Sequence, residues 1–410
     1  MKVLHLVHQY PPANIGGTEL YTDSVAHALA KRGHEVTVLY RGSWPGVGLE
    51  RHEEEDVLVM KTWAGLLSPN RRFLATLRDV PTAQAFERVL DETHPDLIHI
   101  QHLIGFPAVI ISIIREQDVP FLITLHDYWW FCANAQLLTN YSRRLCEGPR
   151  AYLNCARCAL ARLGLSGLWP AAPALAMLIS WRGSRLRSAM LQASRLVAPS
   201  YFVKEQYCSH AVPADRIEVL PHGLEWPQGL KQRQRSDRAV RLAYVGGLSW
   251  QKGVHILVDA VRGLRGAVEL WIAGDESFDP CYVGRLRDHV LPNQRFLGRL
   301  SRERVWEVLS QADVVLVPSL WHETFSLIVH EAFATGVPVV ASRVGALTEA
   351  IRDGEDGLLL PPGDVDAWRT ALQRLVDERD LLAKLQANVR KPMAMEEHTS
   401  RLESIYASVL

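Results

Sequence analysis

The sequence lacks an excess of charge of either sign, because 45 basic residues balance 45 acidic ones in 410. A chain without a net basic surface gives no reason to expect a nucleic-acid partner. A secretory signal is also missing, since the apolar run from Met1 to Tyr10 is short and ends at Pro11-Pro12. We therefore expect a cytoplasmic protein, and the length predicts two domains.

Cysteine is scarce, which argues against a disulfide framework. Four of the six cysteines nevertheless lie within 27 residues, with the spacing C-x13-C-x8-C-x2-C, namely Cys132, Cys146, Cys155 and Cys158. Four thiolates suit a tetrahedral zinc ion, and C-x2-C is a common half-site. The pattern predicts a structural zinc that would fold an insertion over 129–195. An iron–sulfur cluster and plain buried thiols remain alternatives.

The dinucleotide fingerprint G-x-G-x-x-G is absent after the first predicted strand, Val3 to Val7, which argues against a nicotinamide or flavin site. The loop instead carries Gly16-Gly17 ahead of a helix predicted from Thr18, its N-cap, to Lys31. A strand, a glycine loop and a helix start suit a phosphate group, although an ordinary tight turn has the same pattern.

Apolar strand patterns alternate with helical ones along most of the chain. This order predicts an α/β protein with doubly wound parallel sheets. The polar segment 226–238 is typical of a linker. We predict an N-terminal domain over 1–225, a C-terminal domain over 239–395, and a final helical segment, 396–410, that packs back on the N-terminal domain.

A loop between a predicted strand, Val314 to Val317, and a helix predicted from Ser326 to Thr335 carries the clearest binding pattern. Free backbone amides at this helix start would attract a phosphate; they belong to Phe325, Ser326 and Leu327. Glu331 would accept hydrogen bonds from ribose hydroxyls, and Glu323 would lie nearer the phosphates. A capping glutamate and a surface glutamate would give the same spacing.

Two other loops follow predicted strands. Gly246-Gly247 and then Lys252 precede a helix, which predicts a second anion-binding turn, although a surface lysine is the alternative. His126-Asp127 follows the strand that ends at Leu125, at the sheet edge where ligands bind. His126 would contact a sugar hydroxyl, and Asp127 would orient its other ring nitrogen.

The segment from Leu163 to Trp181 has no charged residue over 19 positions, yet Pro170 and Pro173 interrupt it, and we expect no membrane span. The following segment, Arg182 to Arg195, has four arginines and no acidic residue. Together they suit contact with an anionic membrane face. An ordinary helix with an exposed arginine side is the alternative.

The spacing Glu323-x7-Glu331, with a preceding Pro-Ser and a following TGVPVVAS-x-VG turn, resembles the C-terminal signature of retaining GT-B glycosyltransferases, glycosyltransferase family 4. The PP…GG-x-E loop, the T-x-H-D block and the K-G pair at Lys252 are similar to other blocks of the same family. A subgroup with a cysteine-rich insertion has a similar H-D-x-W-x-x-C sequence. Gly247 stands where the family has an arginine.

The resemblance implies two Rossmann-like domains facing a cleft and transfer of a hexose, with retention, from a UDP- or GDP-sugar. The implied acceptor is a hydroxyl of a glycan or of a lipid-linked molecule, in polysaccharide or glycoconjugate synthesis. His126, Lys252 and Glu323 would be catalytic, no cofactor would be required, and the protein would lie in the cytoplasm or at the inner membrane face. A GT-B sugar-nucleotide epimerase and an inactive nucleotide-sugar-binding subunit, the latter suggested by Gly247, remain alternatives.

Overall fold

The computed structural model describes residues 1–12, 16–66, 73, 75–229, 239–277 and 279–410. The chain divides into two compact units, one of residues 1–223 with 393–410 and one of residues 224–392. The predicted linker lies largely outside the described residues, because 230–238 are not among them.

The first unit is built on one eight-stranded sheet. Its strands are β1 (Lys2–Val7), β2 (Glu35–Arg41), β3 (Trp44–Glu54), β4 (Val57–Gly65), β5 (Leu97–Ile100), β6 (Phe121–Thr124), β7 (Arg195–Ala198) and β8 (Ile217–Val219). Their spatial order is β3-β4-β2-β1-β5-β6-β7-β8. The order reverses at β1, and ligands of such sheets bind at the carboxyl ends of the strands beside a reversal.

One edge of this sheet differs from the prediction of a purely parallel sheet. β3 pairs antiparallel with β4, whereas every other neighbouring pair is parallel. Glu55 and Asp56 join the two strands with left-handed φ values of 44° and 67°, which suits a tight hairpin turn. The polar and largely exposed sequence of β3 gave no apolar strand pattern, so the edge was not predicted.

Helices cover both faces of the first sheet. They are α1 (Gly17–Lys31), α2 (Val80–Thr93), α3 (Ile110–Glu116), α4 (Leu153–Arg162), α5 (Ala172–Met190) and α6 (Tyr201–Ser209). Alternate side chains of β1 enter different cores: Leu4 and Leu6 pack in the core that includes α2 and α3, and Val3 and Val7 pack in the core that includes α1.

The insertion over 129–195 contains α4, a 3-10 helix (Ser166–Ala171) and α5. It has a small core of its own, in which Ala156 and Leu160 of α4 meet Ala176 and Ile179 of α5. Among the described residues, no helix is both long enough and apolar enough to cross a membrane.

The second unit repeats the parallel architecture with six strands. They are β9 (Val240–Val245), β10 (Val268–Ala273), β11 (Gln294–Gly298), β12 (Val314–Val317), β13 (Val339–Ser342) and β14 (Gly357–Leu360), in the spatial order β11-β10-β9-β12-β13-β14. All neighbouring pairs are parallel. The order reverses between β9 and β12, so a ligand site is expected at their carboxyl ends.

In the described part of this unit, seven α-helices connect the strands and close the unit. They are α7 (Val254–Val261), α8 (Pro280–Arg287), α9 (Arg302–Gln311), α10 (Leu327–Ala334), α11 (Leu347–Ala350), α12 (Val365–Asp377) and α13 (Arg379–Ala387). The last helix, α14 (Met395–Ala407), belongs to the first unit, where Leu402 and Tyr406 are buried with Val25 and Leu29 of α1. Glu403 of α14 also pairs with Arg32, which follows α1.

Candidate active site

The turn after β9 is shaped by Gly253. This residue ends the 3-10 helix Trp250–Lys252 with a φ of 74°, and a Cβ atom on it would lie 2.0 Å from the carbonyl oxygen of Pro318. Any side chain would therefore push the turn away from the residue that follows β12. Leu320 N donates to the Gln251 carbonyl at 2.8 Å. These contacts hold Lys252 beside the loop that follows β12.

Lys252 forms an ion pair with Glu323, with 2.7 Å between Nζ and Oε1. The same carboxylate oxygen accepts hydrogen bonds from Ser319 Oγ at 2.6 Å and from Trp321 Nε1 at 2.9 Å. The Glu323 side chain is only 7% exposed, and three donors satisfy its charge. The two strands at the sheet reversal thus deliver a cation and a carboxylate to one place.

Glu331 lies in α10 and pairs with Arg302, the first residue of α9, at 2.7 Å. The Glu331 side chain is 5% exposed and that of Arg302 is 36% exposed, so the arginine can move toward a ligand more easily. Arg302 was not predicted from the sequence. No motif marks it, because its partner is 29 residues away in the chain.

The helix predicted over 326–335 is observed as Leu327–Ala334. Ser326 precedes it in the left-handed conformation, with a φ of 67°, and its side chain makes no capping hydrogen bond. In the described part of the chain, the amides of Ser326 and Leu327 donate no hydrogen bond, so they are available to an anion. Phe325 stacks on the ring of His330 at 4.0 Å.

Gly246 and Gly247 follow β9 directly. Gly246 N donates to the Ala273 carbonyl at 3.0 Å, and the Gly247 carbonyl accepts from Tyr244 Oη at 2.7 Å. Apart from Gly247 itself and its two neighbours in the chain, no heavy atom of the described residues lies within 4 Å of the position that a Cβ atom of Gly247 would take. The loop is therefore held by its neighbours, and it leaves room at the position where the family has an arginine.

In the first unit, the helix after β1 begins one residue earlier than predicted. α1 starts at Gly17 with Gly16 as its N-cap, so the prediction of Thr18 as the cap is wrong. Glu19 reaches back toward Gly16, and a Cβ atom on Gly16 would lie 2.6 Å from its Oε2. Burial raises the pKa of Glu19, which pairs with His8 at 3.1 Å. Residues 13–15 of this loop lie outside the described residues.

His126 follows β6 and is buried. Its Nε2 lies 2.8 Å from Gln101 Oε1, and Gln101 Nε2 lies 3.1 Å from His5 Nδ1. Burial lowers the pKa of both His126 and His5 to about 3, so both imidazoles are neutral near pH 7. A neutral imidazole can donate one hydrogen bond and accept another, as contact with a sugar hydroxyl requires.

Asp127 was predicted to orient His126, and the structure places it against other partners. Its Oδ2 lies 3.1 Å from His102 Nε2, and its Oδ1 accepts from Trp129 N at 2.8 Å. Gln101 is the group that holds the Nε2 atom of His126. Both Gln101 and His102 follow β5, the strand beside the reversal in the first sheet.

Other rings surround His126 that the sequence reasoning did not assign to the site. Tyr21 and His222 each lie 5.1 Å from its ring. His398 of α14 bonds the Tyr21 hydroxyl at 3.0 Å and the Pro221 carbonyl at 2.8 Å. These residues come from separate elements, so no local spacing could have brought them together.

The four clustered cysteines line a single cavity within the first unit, and all are free thiols. Gly148 N donates to Cys146 Sγ at 3.4 Å, and Asn140 N donates to Cys158 Sγ at 3.2 Å. Burial raises the pKa of Cys155 to about 12. Within the described ranges, no group of three or more metal-ligating side chains has an arrangement that could hold a metal ion. The structural zinc stays a prediction.

The chain is similar to known proteins over nearly all of its length. Residues 15–225 match the family model described as Glycosyltransferase Family 4, and residues 239–378 match that of Glycosyl transferases group 1. Glycogen synthase of Mycobacterium tuberculosis is 26% identical, covering 92% of this chain and 86% of its own. D-inositol 3-phosphate glycosyltransferase of Mycolicibacterium smegmatis is 27% identical, covering 90% and 82%.

Solved structures share the fold. Anabaena HepE in complex with UDP and glucose has a TM-score of 0.70 at 17% identity, with 100% of both chains covered. Sucrose-phosphate synthase of Thermosynechococcus elongatus has a TM-score of 0.73 at 21% identity, with 100% of this chain and 99% of the other covered.

The class of the protein follows from the two units, from the family models that match it and from the similar proteins and structures. It is a glycosyltransferase with the GT-B fold. The predicted fold class is confirmed. One family model alone spans more than half of the chain, and the chain belongs to glycosyltransferase family 4.

Proposed function

We propose that the protein transfers a hexose from a UDP- or GDP-sugar to a hydroxyl of a glycan or lipid-linked acceptor, with retention, in cell-surface polysaccharide or glycoconjugate synthesis. The observation that supports this proposal is the site at the β9–β12 reversal, where Lys252 pairs with Glu323, and where the amides of Ser326 and Leu327 begin the helix that carries Glu331. A relative with bound UDP and glucose, Anabaena HepE, and a glycogen synthase among the similar proteins support a nucleotide-sugar donor.

The donor diphosphate would bind at the start of α10 and at the turn after β9. Its negative oxygens would accept hydrogen bonds from the amides of Phe325, Ser326 and Leu327 and from the loop of Gly246 and Gly247. Lys252 would move part of its interaction from Glu323 to the diphosphate. Glu331 would accept hydrogen bonds from the ribose hydroxyls, in exchange for its pairing with Arg302.

In the transfer step, the bond from the anomeric carbon to the diphosphate oxygen breaks, and a bond to the acceptor oxygen forms on the same face. The acceptor's proton passes to the leaving diphosphate oxygen. Lys252 and the helix amides stabilise the charge that develops there, so no divalent ion is required. His126, neutral at pH 7, would position the transferred sugar through a hydroxyl.

The insertion supports a peripheral contact with an anionic membrane. Large apolar side chains are exposed along it, namely Leu163, Leu165, Leu168, Trp169, Met177 and Trp181. Arg185 and Arg187 are exposed on the same helix as Trp181. Exposed apolar groups beside cations suit the headgroup region of a membrane with anionic lipids.

The test is to incubate the full chain with a panel of UDP- and GDP-sugars and a membrane extract, and to analyse the products by mass spectrometry. We expect one nucleotide sugar to yield a new glycoside, and Glu331→Ala to reduce the yield. A donor that binds but yields no product with any acceptor would favour a second candidate, an inactive nucleotide-sugar-binding subunit, which the glycine at position 247 suggests. If no nucleotide binds, both the transferase and the inactive binding subunit are refuted.

A further inference from the structure

A partly open cavity of about 470 Å³, lined mainly by the insertion of the first unit, is not used by the proposed transfer step. Its wall is mainly apolar and includes Phe73, Ile104, Trp129, Leu138, Leu175 and Ile179. The four clustered thiols and Arg182 also line it. The volume lies within the range of sites that hold small organic ligands.

Arg182 is a buried cation that forms no ion pair with any of the described residues. It is 3% exposed, and its guanidinium lies over the rings of Phe73 at 5.2 Å and Trp129 at 4.9 Å. Within the described part of the chain, its Nε has no hydrogen-bond partner. Residues 67–72 and 74, close in sequence to Phe73, contain no aspartate or glutamate.

The arginine keeps its proton despite its surroundings. Burial lowers the pKa of Arg182 to about 10, so the group stays charged at pH 7. Asp127 acts on it electrostatically, but that carboxylate is bonded to His102. An uncompensated buried charge is unfavourable. An anion inside the cavity would remove this cost.

The surface around the cavity favours the same kind of ligand. The sequence from Gly148 to Lys204 contains seven arginines and no aspartate or glutamate. Leu178 lines the cavity and is also 39% exposed, and its neighbours Met177 and Trp181 are exposed. The apolar wall of the cavity therefore continues onto an apolar surface, along which a hydrocarbon chain can extend.

A short series of contacts joins this cavity to the residues around His126 in the first unit. The Trp129 ring, under the Arg182 guanidinium, lies 5.4 Å from the His102 ring. His102 is bonded to Asp127, the residue that follows His126. A head group at Arg182 would thus lie near the residues that we assign to the sugar.

We propose that this cavity binds the lipid phosphate part of the acceptor. The phosphate oxygens accept hydrogen bonds from the Arg182 guanidinium, and the apolar chain packs on Leu175, Leu178 and Ile179. The identification of this lipid as the acceptor rests on the proposed function. The binding itself requires neither a donor nor turnover.

The experiment compares decyl phosphate with decanol, which share a chain and differ in the anion, by calorimetric titration of the full chain. We expect one decyl phosphate per chain, bound about tenfold or more tighter than decanol, as for a charge-assisted pair. Arg182→Met removes this preference. The control, Arg157→Met, replaces an exposed arginine of α4 that does not line the cavity, and it keeps the preference.

A purely structural role of Arg182 gives a different result. Arg182 has cation–π contacts with Phe73 and Trp129 but no ion pair with any described residue, and methionine keeps apolar contact with both rings, so we expect Arg182→Met to change Tm little. A lower Tm together with an unchanged preference for decyl phosphate would overturn the proposal. Arg182→Lys keeps the charge and should restore part of the preference.

Two further measurements distinguish the proposed ligand from other occupants of the cavity. Binding to phosphatidylglycerol vesicles should survive Arg182→Met, since this arginine is buried; loss of vesicle binding alone would assign Arg182 to a membrane headgroup and overturn the proposal. About one zinc per purified chain with no binding of decyl phosphate would make the cavity a metal site and also overturn it. Failure of the proposed function can be told apart from failure of the cavity proposal, because titration with UDP and GDP would then give no binding heat.

Discussion

The two candidate sites of this glycosyltransferase are built from opposite kinds of polar group. In the second unit, the site consists of ion pairs, Lys252 with Glu323 and Arg302 with Glu331. In the first unit, buried rings surround His126, whose own imidazole is neutral near pH 7, and an amide, Gln101, holds its Nε2.

The difference follows from what each site has to bind. A diphosphate brings charge, so its site needs cations, and internal carboxylates keep those cations compensated before the ligand arrives. A sugar brings hydroxyls, so neutral donors and acceptors suffice. The comparison predicts that acid acts more on the first unit, although burial also lowers the pKa of His330 in the second unit to about 4, and that charge removal acts mainly on the second.

The largest expected effect is acid destabilisation of the first unit. Burial lowers the pKa of His5 and His126 to about 3 and that of His398 to about 4, below the usual 6.5. The folded state is therefore fully stable with respect to these groups above pH 6.5, and it loses stability as the pH falls from 6.5 toward about 3 for His5 and His126 and toward about 4 for His398. At pH 5 the loss amounts to at most about 2 kcal/mol for each histidine.

Urea unfolding at pH 7.5 and pH 5, followed by hydrogen exchange resolved by peptide, measures this effect. Peptides of β1 and β5 should lose more protection than those of β9 and β12. His52→Gln, at an exposed histidine, is the control and should change nothing. An equal loss of protection in the two units would contradict the difference that we expect between them.

The next largest effect is expected for Lys252→Ala. Removing one preorganised donor from developing charge typically costs about 10²–10³-fold in turnover. We expect kcat to fall by this factor and the donor affinity to fall less. Initial rates with the nucleotide sugar that yields a glycoside would measure it, with Lys384→Ala, an exposed lysine of the same unit, as the control. Turnover equal to that of the wild type would remove Lys252 from the chemistry.

Glu331→Ala should act on binding more than on turnover. It removes the acceptor proposed for the ribose hydroxyls, and a lost hydrogen bond to a charged group corresponds to about 10–100-fold in affinity. Titration with UDP and GDP measures the change. Glu307→Ala, which removes an exposed carboxylate of α9, should leave the affinity as it is, and the assignment fails if the two variants behave alike.

The smallest expected effect is a gain from Gly247→Arg. The position has open space around a Cβ atom and no left-handed φ, so an arginine fits without strain. We expect a rise in turnover of about threefold to tenfold from the added cation. Gly247→Gln adds length without charge and should give no gain. If Gly247→Arg is also without effect, other groups already carry this charge.

Local patterns allowed much of the second unit's site to be predicted. The helix expected over 326–335 is observed at Leu327–Ala334, and the turn with Lys252 follows β9. The reason is that strand ends, glycine turns and helix starts are set by residues close in sequence. Arg302 could not be predicted, because only the packing of α9 beside α10 brings it to Glu331.

The first unit contains more features that could not be predicted from the sequence. The antiparallel edge strand β3 lacks an apolar strand pattern and is specified by a two-residue turn and its partner β4. The ring cluster around His126 combines residues from α1, α14 and the segment after β8. Their meeting depends on sheet order, which no local spacing encodes.

The class of fold, the parallel strands of both sheets and the places where backbone amides and charges gather at strand ends could be predicted from the sequence, because these depend on short-range periodicity and turn residues. Only the tertiary structure decided which carboxylate each cation meets, which rings enclose His126, and that Arg182 is buried without an ion pair to any described residue. Such pairings depend on contacts between residues far apart in the chain. Burial increases the energetic effect of each charge, whether it is paired or not.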